Sequence, residues 1–122
     1  MPKKLVKPKS ARKHSKAEDY FVESSGNVFA DLGLENADEL LVRADLIIAI
    51  NREIEARGFT QKQASELIGL SQSDISNIAG SKINRFSQKR LMNALSKLGL
   101  DVEIVIQRSE TSQGTVRVRE RV

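Results

Sequence analysis

Two helix-start patterns follow one another directly in the segment FTQKQASELIGLSQSDISNI. Thr60 stands three positions before Gln63, a spacing typical of residues that cap a helix N-terminus. Ser71 stands three positions before Asp74, and Gly69 between the two patterns is suited to the left-handed conformation that ends a helix. Because isolated helices this short are marginal in water, the sequence predicts two short helices that are held by packing against the rest of a domain.

Further helices are predicted on both sides of this pair. Residues 27–33 are expected to form a single helical turn, and residues 87–99 a last helix with a serine cap and a closing glycine. A long amphipathic helix is predicted over residues 36–58, beginning at a capping box of Asn36 and Glu39. The residues predicted to face the core are Leu40, Ala44, Ile47, Ile48, Ile54, Ala64, Leu67, Ile68, Ile75, Ile78, Ala79, Leu91, Met92, Leu95 and Leu98.

The C-terminal part of the sequence changes to the period of β-strands. DVEIVIQ, from Asp101 to Gln107, and TVRVRE, from Thr115 to Glu120, both alternate with the period of a strand. In the first, Val102, Ile104 and Ile106 would share one side, and Glu103, Val105 and Gln107 the other. A lone two-stranded hairpin is barely stable, so we expect these strands to pack on their own helices or to pair with the matching strand of a second subunit. The predicted fold is therefore a mostly α-helical bundle, followed by a C-terminal β-strand or hairpin used in dimerisation.

Length and composition exclude several classes of protein. With 122 residues, the chain is expected to form one small domain with room for one functional site. Cysteine is absent and His14 is the single histidine, which argues against disulfides, thiolate chemistry and zinc sites. No pair of carboxylates has a catalytic spacing, so we expect neither an enzyme nor a bound cofactor or metal. Without a long apolar run or a signal peptide, the sequence predicts a cytoplasmic protein that does not contact a membrane.

The net charge of +4 conceals a strong segregation along the chain. Seven lysines and arginines and no acidic residue lie in residues 1–17, which we interpret as a flexible arm. Such an arm is either simply solvated or in non-specific contact with nucleic acid. Residues 18–74 carry a net charge of −8 and residues 75–122 a net charge of +5, so both ends of the chain could meet polyanions.

The two short helices have the arrangement of a helix-turn-helix, in which one helix supports a second that enters the major groove of DNA. Four residues are predicted to share the outward face of the second helix and to read base edges: Gln72, Ser73, Ser76 and Asn77. The alternative is that they form an ordinary polar surface of a helical bundle. The predicted organisation is a basic arm over residues 1–17, a strap with a short helix over 18–35, a helix-turn-helix domain over 36–99 and a strand region over 100–122.

The flanks of this helix pair carry groups suited to DNA phosphates. Gln61, at the first position of the first helix, places an amide near the free N–H groups of the helix start. Four cationic residues follow the second helix without an intervening acid: Lys82, Arg85, Lys89 and Arg90. Phosphate contacts are predicted for Gln61, Lys82, Arg85 and Lys89. Asp74 suits a helix cap, but its negative charge opposes phosphate.

The segment FTQKQASELIGLSQSDISNI resembles the DNA-binding core of the XRE family, which includes Cro and the phage repressors, in its Thr-Gln helix start, mid-helix Ala, Gly-Leu-Ser turn and late Ile. The flanking segments SSGNVFADLGL, ADELLVRADL and FSQKRLMNALSKLGLDVEIVI resemble the HigA-type antitoxins of toxin-antitoxin modules. The resemblance spans residues 24–107 and implies a lambda-repressor-like helical bundle. It also implies a homodimer that represses its own operon at a palindromic operator and neutralises a RelE/HigB-like toxin that cleaves mRNA.

The resemblance assigns roles to individual residues. It places the family's phosphate-side glutamine at Gln61, its backbone-contacting lysine at Lys82, and its groove-reading positions at the four outward residues of the second helix. Relatives commonly carry glycine immediately before that lysine. Here Ser81 takes that position and Gly80 stands one residue earlier, which affects the path of the loop.

Two alternatives to the antitoxin remain open at this point. The first is a stand-alone phage-type regulator without a toxin partner, and the second is a protein-interaction scaffold that does not bind DNA. A toxin would be expected to contact weakly patterned apolar residues that could equally form a strap over the helical domain: Tyr20, Phe21, Val22, Phe29 and Leu32. The acidic stretch over residues 18–45 would complement a basic partner.

Overall fold

The computed structural model describes residues 4–6, 21–23 and 28–121 of the chain. Over these residues the helices are α1 (Val28–Asp31), α2 (Ala37–Ala56), α3 (Gln61–Ile68), α4 (Gln72–Ala79) and α5 (Gln88–Lys97), with a 3-10 turn at Ile83–Arg85 between α4 and α5. The strands are β1 (Lys4–Val6), β2 (Phe21–Glu23) and β3 (Glu120–Arg121). None of the helices in this part of the chain has the length and apolar character required to cross a membrane.

Helix α2 is the centre of the helical bundle. It packs against α1, α4, the 3-10 turn and α5, and its Ile47 and Ile50 are fully buried. Burying a side chain of this size stabilises a fold by about 1.5–3 kcal/mol, so the short helices are held mainly by this shared core. The core consists of Val42, Leu46, Ile47, Ile50, Ala64, Ile68, Ile75, Ile78, Phe86, Leu91, Ala94, Leu95 and Leu98.

Most residues predicted to face the core do so, and three do not. Ile48 and Leu67 are 40% and 43% exposed, and Ala79 is also exposed, so these three predictions are wrong. The stripe predicted on α2 was too narrow, because Val42 and Leu46 are also buried. Helix α2 has neighbours on more than one side, and its apolar surface is correspondingly wider than that of a helix lying on a protein surface.

The predicted caps of the three later helices are present. The Thr60 hydroxyl accepts a hydrogen bond from the Gln63 N–H, and the Gln63 side chain accepts one from the Thr60 N–H, which completes a capping box. The hydroxyls of Ser71 and Ser87 likewise cap α4 and α5. The capping box predicted at Asn36 is wrong, because its backbone is not in the extended conformation of a capping residue and its side chain makes no cap bond.

The predicted C-terminal strands are largely wrong. Residues 101–119 form no strand, and the strand β3 comprises Glu120 and Arg121 only. The segment 101–107 lies exposed, with Ile104 and Ile106 at 78% and 94% exposure. No neighbouring strand of the described chain reaches this segment, so its backbone lacks the hydrogen-bonding partner that a strand requires.

The two ends of the chain meet in a three-stranded antiparallel sheet of order β1-β2-β3. Lys4 pairs with Glu23, and Val22 pairs with Glu120. An ion pair between Arg52 of α2 and Glu120 links this sheet to the helical bundle. The prediction of a flexible arm over residues 1–17 therefore differs from the structure at β1. The other residues of the arm, His14 among them, lie outside the described residues, and so does Tyr20 of the predicted strap.

Candidate nucleic-acid interface

Helices α3 and α4 pack against each other and are joined by a tight turn. Gly69 ends α3 in the left-handed conformation with a φ of 82°, a value that a side chain would strain. The Ser65 hydroxyl donates a hydrogen bond to the Leu70 carbonyl and closes the turn from the α3 side. The prediction of a helix ended by Gly69 and immediately followed by a second helix is confirmed.

Helix α4 has an apolar inner face and a polar outer face. Ile75 and Ile78 are buried at 2% and 0% exposure. Gln72, Ser73 and Ser76 are exposed and Asn77 is half-buried, and their spacing places all four on one side of the helix. Within the described part of the chain, these four side chains make no hydrogen bond or ion pair, so their amide and hydroxyl groups are available to base edges.

The C-terminal end of α4 is held by a side chain of α2. The Asn51 amide donates a hydrogen bond of 3.0 Å to the Ile78 carbonyl, across 27 positions of sequence. Sequence reasoning missed Asn51, although one signal was present. Asn51 lies four positions after Ile47 and three before Ile54, so it continues the inward face of the long helix. A polar side chain on such a face generally has a hydrogen-bond partner.

The N-terminal end of α4 forms an ion pair with a side chain of α5. The Arg90 guanidinium donates a hydrogen bond of 3.0 Å to the Asp74 carboxylate and lies 5.2 Å from the centre of the Phe86 ring. In the sequence, Arg90 belongs to the run of cationic residues after the second helix, and Asp74 carries the negative charge that opposes phosphate. The structure brings the two together in one ion pair.

After α4 the chain turns through a Schellman motif. The Lys82 N–H donates to the Asn77 carbonyl at 2.9 Å, and the Ser81 N–H donates to the Ile78 carbonyl at 3.0 Å. Ser81 occupies the left-handed position of this motif with a φ of 56°. The loop path is therefore that of a glycine-terminated helix, with serine at the position where relatives commonly carry glycine.

Ser81→Gly is expected to raise the free energy of unfolding by up to about 1 kcal/mol, because glycine adopts positive φ without a clash of its Cβ. Urea denaturation monitored by circular dichroism measures this difference. Ser81→Ala is the matched control, since alanine removes the hydroxyl but keeps the Cβ, and it should give no gain. A gain of equal size in both variants would contradict backbone strain at Ser81.

The predicted phosphate-contacting residues lie on loops and helix starts that flank α4. Gln61 is exposed at the first position of α3. Lys82 and Arg85 are exposed at either end of the 3-10 turn and line a shallow groove formed by residues 81–85. Lys89 is exposed in the first turn of α5. Cations and helix N-termini in such positions are suited to the sugar-phosphate backbone on both sides of a groove.

These features define a helix-turn-helix DNA-binding domain. They are a capped supporting helix, a left-handed turn, a second helix with a polar outward face, and cationic residues on both flanks. Residues 28–107 match the family described as "Helix-turn-helix domain". A solved structure described as a candidate XRE family transcriptional regulator is 32% identical, with a TM-score of 0.63, and the match covers 68% of this chain and 93% of that one. No curated protein matches the chain.

This chain belongs to the XRE family of helix-turn-helix proteins, and it is a DNA-binding transcriptional regulator. The mostly α-helical fold class predicted from the sequence is confirmed, with the C-terminal strand reduced to two residues.

Proposed function

We propose that this regulator is a repressor that binds a palindromic operator in its own promoter. The outward face of α4 carries the proposal, because its four polar side chains are free of bonds to the described chain while the helix behind them packs on the core and is bonded to Asn51 at its C-terminal end. A rigid helix with unoccupied hydrogen-bonding groups loses little conformational entropy when it reads base edges. The proposed activity is binding without catalysis, cofactor or metal, in the cytoplasm.

The repressor is proposed to act as a homodimer joined through residues 101–107. A dimer places two recognition helices about 34 Å apart, one turn of the duplex, which matches the two half-sites of a palindrome. The support for this interface is the exposed segment itself, in which the alternation of a strand would place Ile104 and Ile106 on one side and Glu103, Val105 and Gln107 on the other. Pairing with the same segment of a second copy would satisfy the backbone and cover the apolar side.

We also propose that the chain is the antitoxin of a toxin-antitoxin operon and neutralises a RelE/HigB-like toxin. The support is the resemblance to HigA-type antitoxins over residues 24–107, together with the apolar surface around α1. Leu32 and Leu34 are 70% and 43% exposed there, beside a half-buried Phe29. Exposed apolar side chains grouped in one short stretch are typical of a protein-binding surface.

Operator binding is tested by separating base readout from phosphate contact. Gln72→Ala is expected to lower the affinity for the promoter by about 1–3 kcal/mol per half-site and to relax the preference at one base position. Lys82→Ala is expected to weaken binding to every sequence and to lower the slope of log affinity against log salt by about 1. Fluorescence anisotropy with promoter and random duplexes over a salt series measures both effects. Equal losses of Gln72→Ala on the two duplexes would exclude its role in base readout.

The antitoxin role is tested by reading the neighbouring open reading frame and expressing it alone and with this chain. A short basic RelE-like protein that arrests growth alone, and is silenced by coexpression, is the expected result. A promoter-binding chain without such a neighbour would instead be a stand-alone phage-type regulator. A repressor's affinity for DNA rises steeply as salt falls, because it contacts phosphates. Absence of DNA binding even at low salt would therefore exclude a repressor and favour a protein-interaction scaffold.

A further inference from the structure

Asp74 creates an electrostatic conflict in the first turn of α4, the helix proposed to read DNA. It is the third residue of α4, directly after Gln72 and Ser73, and its side chain is 31% exposed. A carboxylate that approaches the phosphates within a few ångströms repels them, and the repulsion increases as water is displaced on binding. The Ser71 cap does not use the carboxylate, because the Asp74 backbone N–H donates to the Ser71 hydroxyl.

Arg90 is placed to remove this conflict. Its Nη2 lies 3.0 Å from the Asp74 Oδ2, and its guanidinium lies over the ring of Phe86, which is only 3% exposed. The buried ring restricts the guanidinium, so less entropy is lost in keeping the ion pair formed. The Arg90 backbone is fixed as well, because its N–H donates a hydrogen bond to the Ser87 hydroxyl, which caps α5.

We propose that Arg90 is a positioning residue that neutralises Asp74, so that the N-terminal end of α4 can approach the DNA backbone. This inference rests on the proposed DNA-binding function of α4. The alternative is a direct phosphate contact by Arg90, which belongs to the run of cationic residues that follows α4. The two roles differ in one respect: neutralisation makes the effect of Arg90 depend on Asp74, whereas a direct phosphate contact does not.

A double-mutant cycle distinguishes the two roles. Arg90→Gln, Asp74→Asn and the double variant are titrated against the promoter duplex and against a mixed-sequence duplex of the same length at low salt. Arg90→Gln alone is expected to weaken binding to both duplexes about fivefold. In the Asp74→Asn background the same change should have an effect of less than about twofold, because no carboxylate remains to be neutralised.

The cycle also separates neutralisation from a purely structural role. Arg90→Gln and Asp74→Asn both break the ion pair, so a structural role would make both weaken DNA binding. Neutralisation predicts opposite signs, with Asp74→Asn binding both duplexes at least as tightly as the unmodified chain. Thermal unfolding of each variant confirms that the domain is folded at the temperature of the titration.

Lys89→Gln is the matched control, since it removes the same charge one position away on an exposed side chain of α5. It should weaken binding equally in the unmodified chain and in the Asp74→Asn background. Equal effects of Arg90→Gln in the two backgrounds, or weaker binding by Asp74→Asn, would overturn the proposal while leaving the repressor function intact. An unmodified chain that binds neither duplex would overturn both, and one that binds both duplexes equally would overturn operator readout alone.

Discussion

Ile78→Ala is expected to lower the free energy of unfolding by about 2–5 kcal/mol, a large part of the stability of a domain this small. Ile78 has no exposed surface, and its removal leaves a cavity between α4 and the rest of the core. Its carbonyl also accepts bonds from the Asn51 side chain and the Ser81 N–H, so a displaced backbone would loosen both. Urea denaturation and promoter binding of the same preparation should show the two losses together.

Ile48→Ala is the control for this prediction. Isoleucine is removed in both cases, but Ile48 is 40% exposed on the outside of α2, so its loss should lower the free energy of unfolding by less than about 1 kcal/mol. Promoter affinity should be unchanged. Similar destabilisation by the two substitutions would show that α4 does not pack on the core as described.

Ile104→Glu is expected to convert the proposed homodimer into a monomer and to lower promoter affinity about 10²–10⁴-fold. The two half-sites of a palindrome are bound cooperatively only while the recognition helices are linked, and a buried, unpaired glutamate opposes the strand pairing. Sedimentation at micromolar concentration measures the assembly, and anisotropy measures the affinity. Affinity for a duplex with one half-site should change little, because α4 itself is intact.

Gln107→Glu adds the same charge on the opposite side of the proposed strand, and it serves as the control. It should leave the dimer and the promoter affinity essentially unchanged. An unmodified chain that sediments as a monomer at micromolar concentration, or a fully dimeric Ile104→Glu variant, would contradict pairing through residues 101–107.

Local features were predictable from the sequence because they depend on residues a few positions apart. The caps of α3, α4 and α5 and the turn at Gly69 are all of this kind, and all are confirmed. Their side chains bond to backbone groups within the same helical turn, so the pattern of nearby residues is enough to indicate them. The same kind of pattern at Asn36 and Glu39 formed no cap, because the backbone of Asn36 does not adopt the extended conformation that a cap needs. The four outward positions of α4 also follow from helical spacing once the helix start is known.

Long-range features were not predictable in the same way. The bonds of Asn51 to Ile78 and of Arg90 to Asp74 join residues 27 and 16 positions apart, and a single sequence does not indicate which distant groups meet. The C-terminal strands were overpredicted for a related reason. Alternation shows that the segment 101–107 can form a strand, but strand formation also needs a neighbour, and none is supplied by the described chain.

Helix α4 has one side that packs on the core and another whose side chains make no hydrogen bond within the described chain, and this separation affects how the regulator can evolve. The residues that hold the helix are Ile75, Ile78 and Asn51, whereas the exposed side chains of Gln72, Ser73 and Ser76 and the half-buried one of Asn77 make no bond within the described chain. Substitutions at the outer four positions should therefore change operator preference without eroding stability. Duplicated copies of such a gene can diverge toward new operators one residue at a time, each intermediate remaining a folded protein.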